Sequence, residues 1–350
     1  METQVIEVDP LEDGRKVYQQ AAAVLAEGEL VALPTETVYG LGADAYNCDA
    51  VAQVFAAKER PSFDPLILHL ANARQLDEVC TVPEELKETV EKLAQEFWPG
   101  PMTLVLPKKD VVPDIATSGL PTVAVRVSAH PVMRGVCKAL GRPVAAPSAN
   151  RFGHISPTSA GAVLKELGGR IPWILDAGAC SEGLESTILR PMLDEKGKPA
   201  VELLREGPLV RDRIRKVVRI AKPRKPRAGE GEEAEAAPNA PGQLPSHYAP
   251  TKPLLLWDAK EEFTPEEGVA YGLISYQGDS PLSMQECWAN TISLSPGSGR
   301  LAEAAVRLFA VMRQMDEDED VQVIVAEKVA ETGLGCAIMD RLRRASAARG

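Results

Sequence analysis

The chain has 350 residues, 45% apolar and 25% charged, with 39 Lys and Arg against 50 Asp and Glu and a net charge of −11. Such a length accommodates about two domains, and such a composition is that of an ordinary soluble globular protein. The acidic balance excludes a general nucleic-acid coat, so any anion that binds must meet a local cluster of Lys and Arg.

The N-terminal METQVIEVDP lacks a basic segment followed by an apolar run, so no signal peptide is expected. No stretch approaches ~18 uninterrupted apolar residues, which argues against a membrane span. Six scattered cysteines (Cys48, Cys80, Cys137, Cys180, Cys287, Cys336) form no CxxC pair. They read as buried thiols in a reducing, cytoplasmic setting.

Residues 14–27 are alanine-rich with helical apolar spacing, and Gly28 stops that helix. An apolar strand then runs into LPTETVYGLGADA (33–45), a loop rich in hydroxyls. Residues 49–58 predict a second helix with Asp49 as N-cap. PLILHL (65–70) is of strand length, and 83–98 is an amphipathic helix. MTLVLP, TVAVRV and PVAAPS read as three further strands, followed by STILR, AVELLREG and a charged helix near 209–220. Alternating strands and helices make an α/β layer structure. Residues 222–246 are rich in Pro, Gly, Ala and charge and predict a linker. A regular pattern resumes after 251, with PLLLW, VAYGLISY, NTISLS and VQVIVAE around a helix at 299–315 and a last helix, AIMDRLRRAS. That is a second, smaller α/β domain.

No GxxxxGK[ST] loop, HExxH, GxSxG or EF-hand loop is present, and GLGADA has too few glycines for a dinucleotide fingerprint. What remains are polar clusters at strand ends, where open α/β sheets bind ligands. The hydroxyls at 34–40 fit either a ligand loop or a tight turn that satisfies its own backbone. Lys58 and Arg60, before the Pro61 turn, suit a polyphosphate or simply decorate a helix C-terminus. Arg126 in an apolar strand needs an anion, from a ligand or from an internal carboxylate. Ser148, Asn150, Ser156 and Thr158 crowd a loop that could cradle phosphate or start a helix.

Taken together, PTETVYGLG, KERPSFDPLILH, FWPGPMTLVLP, TVAVRVSAHP, PVAAPSANRFGHISPTSA, LESTILR, LLREG, HYAP and the terminal GLGCAIMDRLRRA resemble the threonylcarbamoyl-adenylate synthase family, the long form of the YrdC-like proteins. The resemblance implies a YrdC-like twisted mixed sheet with helices over 1–221, a linker folding as a lid over the active site at 222–250, and a Rossmann-like α/β domain at 251–350. It implies synthesis of threonylcarbamoyl-AMP and pyrophosphate from L-threonine, bicarbonate and ATP, with Mg2+ accompanying ATP and no metal ligands identified. The product serves tRNA modification beside the anticodon, which makes tRNA or downstream threonylcarbamoyl-transferase proteins partners.

By the same resemblance, Thr37, His69, Arg126, Ala146 and Ser186 line a threonine site. Arg60, Asp64, Thr122, Ser148, Ser156, Arg205 and Tyr248 surround ATP. Lys58 and Arg60, with Ser148 and Asn150, form the KxR and SxN patterns associated with catalysis. Asp64 stands where the family usually carries Asn or a basic residue. It either recruits a divalent cation to the triphosphate or caps the turn before Pro65. The alternative function is a double-stranded RNA or tRNA binder, or a ribosome-assembly protein, without synthase activity. The acidic balance counts against it, because phosphate contacts need Lys and Arg.

Overall fold

The computed structural model of the protein describes residues 2–9, 14–61, 64–221 and 247–347. The linker expected at 222–246 lies outside the described residues. The first unit runs β1 (Gln4–Glu7), α1 (Arg15–Ala26), β2 (Val31–Leu33), β3 (Gly40–Asp44), α2 (Cys48–Lys58), β4 (Ile67–His69), α3 (Leu76–Val79), α4 (Lys87–Phe97), β5 (Met102–Pro107), α5 (Asp114–Thr117), β6 (Thr122–Arg126), α6 (Pro131–Leu140), β7 (Val144–Ala145), α7 (Ala160–Leu167), β8 (Trp173–Asp176), β9 (Thr187–Leu193), β10 (Pro199–Arg205) and α8 (Arg211–Arg215). Its strands form a single mixed sheet in the order β1-β8-β2-β3-β7-β4-β6-β5-β9-β10. The second unit adds β11 (Leu254–Trp257), β12 (Tyr271–Ser275), β13 (Trp288–Ser293), α9 (Leu301–Glu317), β14 (Val323–Glu327) and α10 (Gly335–Ser346). Its sheet, β11-β14-β12-β13, is parallel throughout, as in Rossmann-like folds.

Local chemistry explains several boundaries. In α4 the buried residues Val90, Leu93 and Phe97 recur at helical spacing and face the sheet. The α2 N-cap is Asn47, whose side chain accepts from the N–H groups of Asp49 and Ala50, so Asp49 falls in the first turn instead of capping it. GLGAD, expected as loop, is strand β3, because Leu41 and Ala43 bury into the core on one face. The run 143–148 yields only the short β7 before Pro147 turns the chain, and the charged helix near 209–220 is confined to Arg211–Arg215.

The two units share an apolar core. Val38, Ile155 and Leu184 of the first pack with Ala305, Phe309 and Ile338 of the second, and Tyr248 lies among them. Gly183 permits the close approach. Its φ is +70°, and a Cβ there would lie 2.4 Å from the Cα of Val306 in α9. Among the described residues no helix is long and apolar enough to cross a membrane.

Candidate active site

Parallel pairing of β4 with β6 sets His69 beside Arg126 at the carboxyl ends of both strands. The loop after β2 and the turn after β7 reach the same edge, where the Ala146 N–H donates to the Ile67 carbonyl at 2.9 Å. From the other side come Ser186, just before β9, and Arg205, the last residue of β10. Gly207 lets the chain after Arg205 pass closely, since a Cβ there would stand 2.5 Å from the Glu185 carbonyl. A cavity forms at this junction.

Thr37, Arg60, His69, Arg126 and Ala146 line it, as do Ser148, Ser186, Arg205 and Tyr248. Arg126 is 3% exposed, so its charge needs compensation. Its Nη2 stands 2.8 Å from Glu36 Oε1, its Nη1 donates to the Thr37 hydroxyl at 2.8 Å, and its Nε donates to the Gly100 carbonyl at 3.3 Å. Glu36 also accepts from the Ser128 hydroxyl and from the Ala129 N–H. Burial alone pushes this carboxyl up, but the Arg126 charge and these donors outweigh burial and hold it at about 2. Burial, helped by the neighbouring Arg126 charge, pulls His69 down to about 3, so its ring is neutral at pH 7.

On the opposite side, Arg205 Nε donates to the Ser186 carbonyl at 3.0 Å and Nη2 to the Ser186 hydroxyl at 3.1 Å. Ser186 is fixed in turn by Thr103 at 2.7 Å. Arg60 pairs with Asp64 at 2.9 Å, both side chains being buried, and its Nη2 also donates to the Asp64 and Pro65 carbonyls.

Five of the expected residues lie outside the cavity lining. Lys58 is fully buried, and its Nζ donates to the carbonyls of Ser148 and Asn150. Desolvation, with the Arg60 charge, drives its pKa well below the ordinary lysine value. Asn150 donates to the carbonyls of Arg151 and His154, closing the same loop on itself. Ser156 is buried and donates to Glu185. The Asp64 carboxylate is an internal counter-ion of Arg60 and does not line the cavity. Thr122 begins β6, about 13 Å along the strand from Arg126 at 3.3 Å per residue, and also lies outside the cavity lining.

Sequence reasoning did not single out Glu36, Glu185 or His247. Glu36 sat in the first polar loop as a carboxylate without a partner, and an arginine in an apolar strand without an anion was the complementary signal. Glu185 and His247 adjoin Ser186 and Tyr248, and only the packing of the two domains reveals them as cavity lining. Among the described residues no group of three or more His, Cys, Asp or Glu could hold a metal ion.

A family model described as "Telomere recombination" (Sua5_yciO_yrdC) matches residues 23–207, and one described as "Threonylcarbamoyl-AMP synthase, C-terminal domain" matches 209–347. The chain is 41% identical over 343 residues to a threonylcarbamoyl-AMP synthase of Pyrococcus abyssi, with 94% of each chain covered. It is 37% identical over 349 residues to one of Bacillus subtilis, covering 97% of this chain and 96% of the relative. The fold superposes on the crystal structure of P. abyssi Sua5 complexed with L-threonine with a TM-score of 0.82 at 37% identity, covering 98% of both chains.

Proposed function

Because the chain belongs to the YrdC-like threonylcarbamoyl-AMP synthase family in its two-domain form, we propose that it joins L-threonine, bicarbonate and ATP into threonylcarbamoyl-AMP, releasing pyrophosphate. The product supplies the threonylcarbamoyl group for tRNA modification. One observation carries the reading of the site: the buried guanidinium groups of Arg60, Arg126 and Arg205 converge with hydroxyls on a single cavity of an acidic protein. All three substrates bring negative charge, and preorganised donors in a water-poor cavity stabilise it at no further cost of reorganisation.

Threonine occupies the side formed by Thr37, His69, Arg126, Ala146 and Ser186, with its carboxylate at Arg126. ATP occupies the side of Arg60, Ser148, Arg205 and Tyr248, with Asp64 and Ser156 supporting that wall and Thr122 extending it. The threonine amine attacks the carbon of bicarbonate, forming a C–N bond as the C–OH bond breaks and the hydroxyl leaves as water with a proton from the amine, which gives a carbamate. A carbamate oxygen then attacks the α-phosphorus of ATP, forming a P–O bond as the bond to pyrophosphate breaks. No enzyme nucleophile takes part, and catalysis rests on positioning and charge neutralisation. Arg60 and Arg205 meet the phosphates. Lys58 and Asn150 act by fixing the 148–154 loop, Lys58 through the carbonyls it binds. Among the described residues no cluster of His, Cys, Asp or Glu makes a metal site, and we take magnesium as the counter-ion that accompanies ATP as substrate.

We assign catalysis to 1–221 and treat 251–350 as the additional domain, with His247 and Tyr248 reaching back to the cavity. Six free thiols fit a cytoplasmic setting. The product is a mixed anhydride that water destroys, so tRNA and a threonylcarbamoyl-transferase act directly downstream. The test is pyrophosphate release by the purified protein with ATP, bicarbonate and each amino acid in turn. Release that depends on threonine supports the proposal, and release indifferent to the amino acid overturns it.

A further inference from the structure

Arg341, on α10 of the second unit, has no exposed surface. Its Nε donates to Glu185 Oε2 at 3.0 Å and its Nη1 to Asp340 at 2.7 Å. Glu185 lines the cavity, and its other oxygen accepts from the Ser156 hydroxyl. The Arg341 guanidinium carbon also stands 5.2 Å from the ring centroid of Tyr248, which in turn packs on Phe309 of α9 with centroids 5.5 Å apart. His247 donates its backbone N–H to the Arg344 carbonyl on the same α10 at 3.2 Å. Tyr248 itself holds φ at +62°, a conformation that a tyrosine keeps only where its surroundings over-determine it.

We propose that Arg341 is a positioning residue for the nucleotide: one guanidinium fixes the Glu185 carboxylate and the Tyr248 ring, so that the C-terminal domain completes the wall against which ATP binds. The inference rests on the synthase reading only in taking a nucleotide as the ligand beside Arg205 and Tyr248. Merely clamping the domains does not require this arrangement. Arg313 already ties α9 to the first unit through Glu166 at 2.9 Å and the Ile155 carbonyl at 2.8 Å, and neither residue lines the cavity. A planar cation is suited to the double task, because it can bond a carboxylate along its edge and lie over an aromatic face. Lysine preserves the charge but neither the fork nor the flat stack.

The test compares wild type, R341K and the double variant R341Q/E185Q, which removes both buried charges together and so strands neither. Binding of the α,β-methylene analogue of ATP is measured by calorimetry, and the KM values for ATP and threonine by pyrophosphate release. Both variants are expected to bind the analogue about tenfold more weakly and to raise the KM for ATP by a similar factor. The KM for threonine stays within about twofold, which a general loosening of the fold cannot produce. Analogue binding by folded R341K at the wild-type level overturns the inference. So does an equal rise in both KM values accompanied by a fall in melting temperature. If R341K does not fold, the double variant decides by the same criteria. A wild type that binds the analogue but releases no threonine-dependent pyrophosphate refutes the synthase reading alone, and one that binds no analogue refutes this inference.

Discussion

Replacing Glu36 with glutamine keeps the size of the side chain and removes its charge. In the folded protein the carboxyl is held at about 2, against 4.5 for the free group. At 1.36 kcal/mol per unit, that depression stabilises the ionised folded form by about 3 kcal/mol at neutral pH. The sign follows from the direction of the shift. A depressed carboxyl contributes stability that is complete above the unfolded value of 4.5 and disappears as pH falls towards about 2. Once protonated, Glu36 resembles the glutamine that replaces it, so the two proteins converge in acid. We therefore expect Glu36→Gln to unfold in urea about 3 kcal/mol more easily at pH 7, with the difference narrowing steadily below pH 4.5. Circular dichroism across a pH series of urea titrations measures this. A difference that is constant with pH, or below about 0.5 kcal/mol throughout, refutes the idea that the Glu36–Arg126 pair is the source of this stability.

Lys58→Met strands two buried carbonyls, those of Ser148 and Asn150. It is expected to destabilise the protein by about 2–4 kcal/mol in urea unfolding and to abolish turnover. Retained activity with an ordered 148–154 loop contradicts the positioning role. His69, lowered to about 3, is expected to show no NMR titration of its ring between pH 5 and 8. The unfolded chain takes up that proton near 6.5 and the folded one does not, so His69 makes the protein less stable as pH falls below 6.5. Gly183→Ala forces a left-handed alanine whose Cβ meets Val306 at 2.4 Å. It is expected to destabilise by about 3 kcal/mol or more and to separate the unfolding of the two domains in calorimetry. A single unshifted transition contradicts the tight domain contact.

The sequence made much of this architecture readable where the determinants are local. The apolar stripe of α4 and the runs that became β5, β6 and β12 carry their periodicity in adjacent residues. Strand β3 escaped because Gly40 and Gly42 look like loop residues, and nothing nearby shows that Leu41 and Ala43 reach the core. The N-cap slipped by two residues because Asn47 and Asp49 are both competent, and the choice depends on where β3 ends. The site was legible as residue types at strand ends but not as pairings. That Glu36 compensates Arg126, 90 residues away, or that Arg341 reaches Glu185 across a domain boundary, follows from the tertiary arrangement alone. Lys58 illustrates the limit well. A cation before a proline turn suggests phosphate, whereas its Nζ holds backbone carbonyls.

The central claim is that this cavity joins a carbamate of threonine to the α-phosphate of ATP. It is tested most directly by incubating the protein with ATP, L-threonine and 13C-labelled bicarbonate and analysing the nucleotides by mass spectrometry at short times. The account predicts an adenylate that carries the threonine skeleton and a single 13C atom, formed with an equal amount of pyrophosphate and missing from the Arg126→Ala variant. Consumption of ATP that leaves only unlabelled AMP or ADP, with no 13C in any nucleotide, contradicts it.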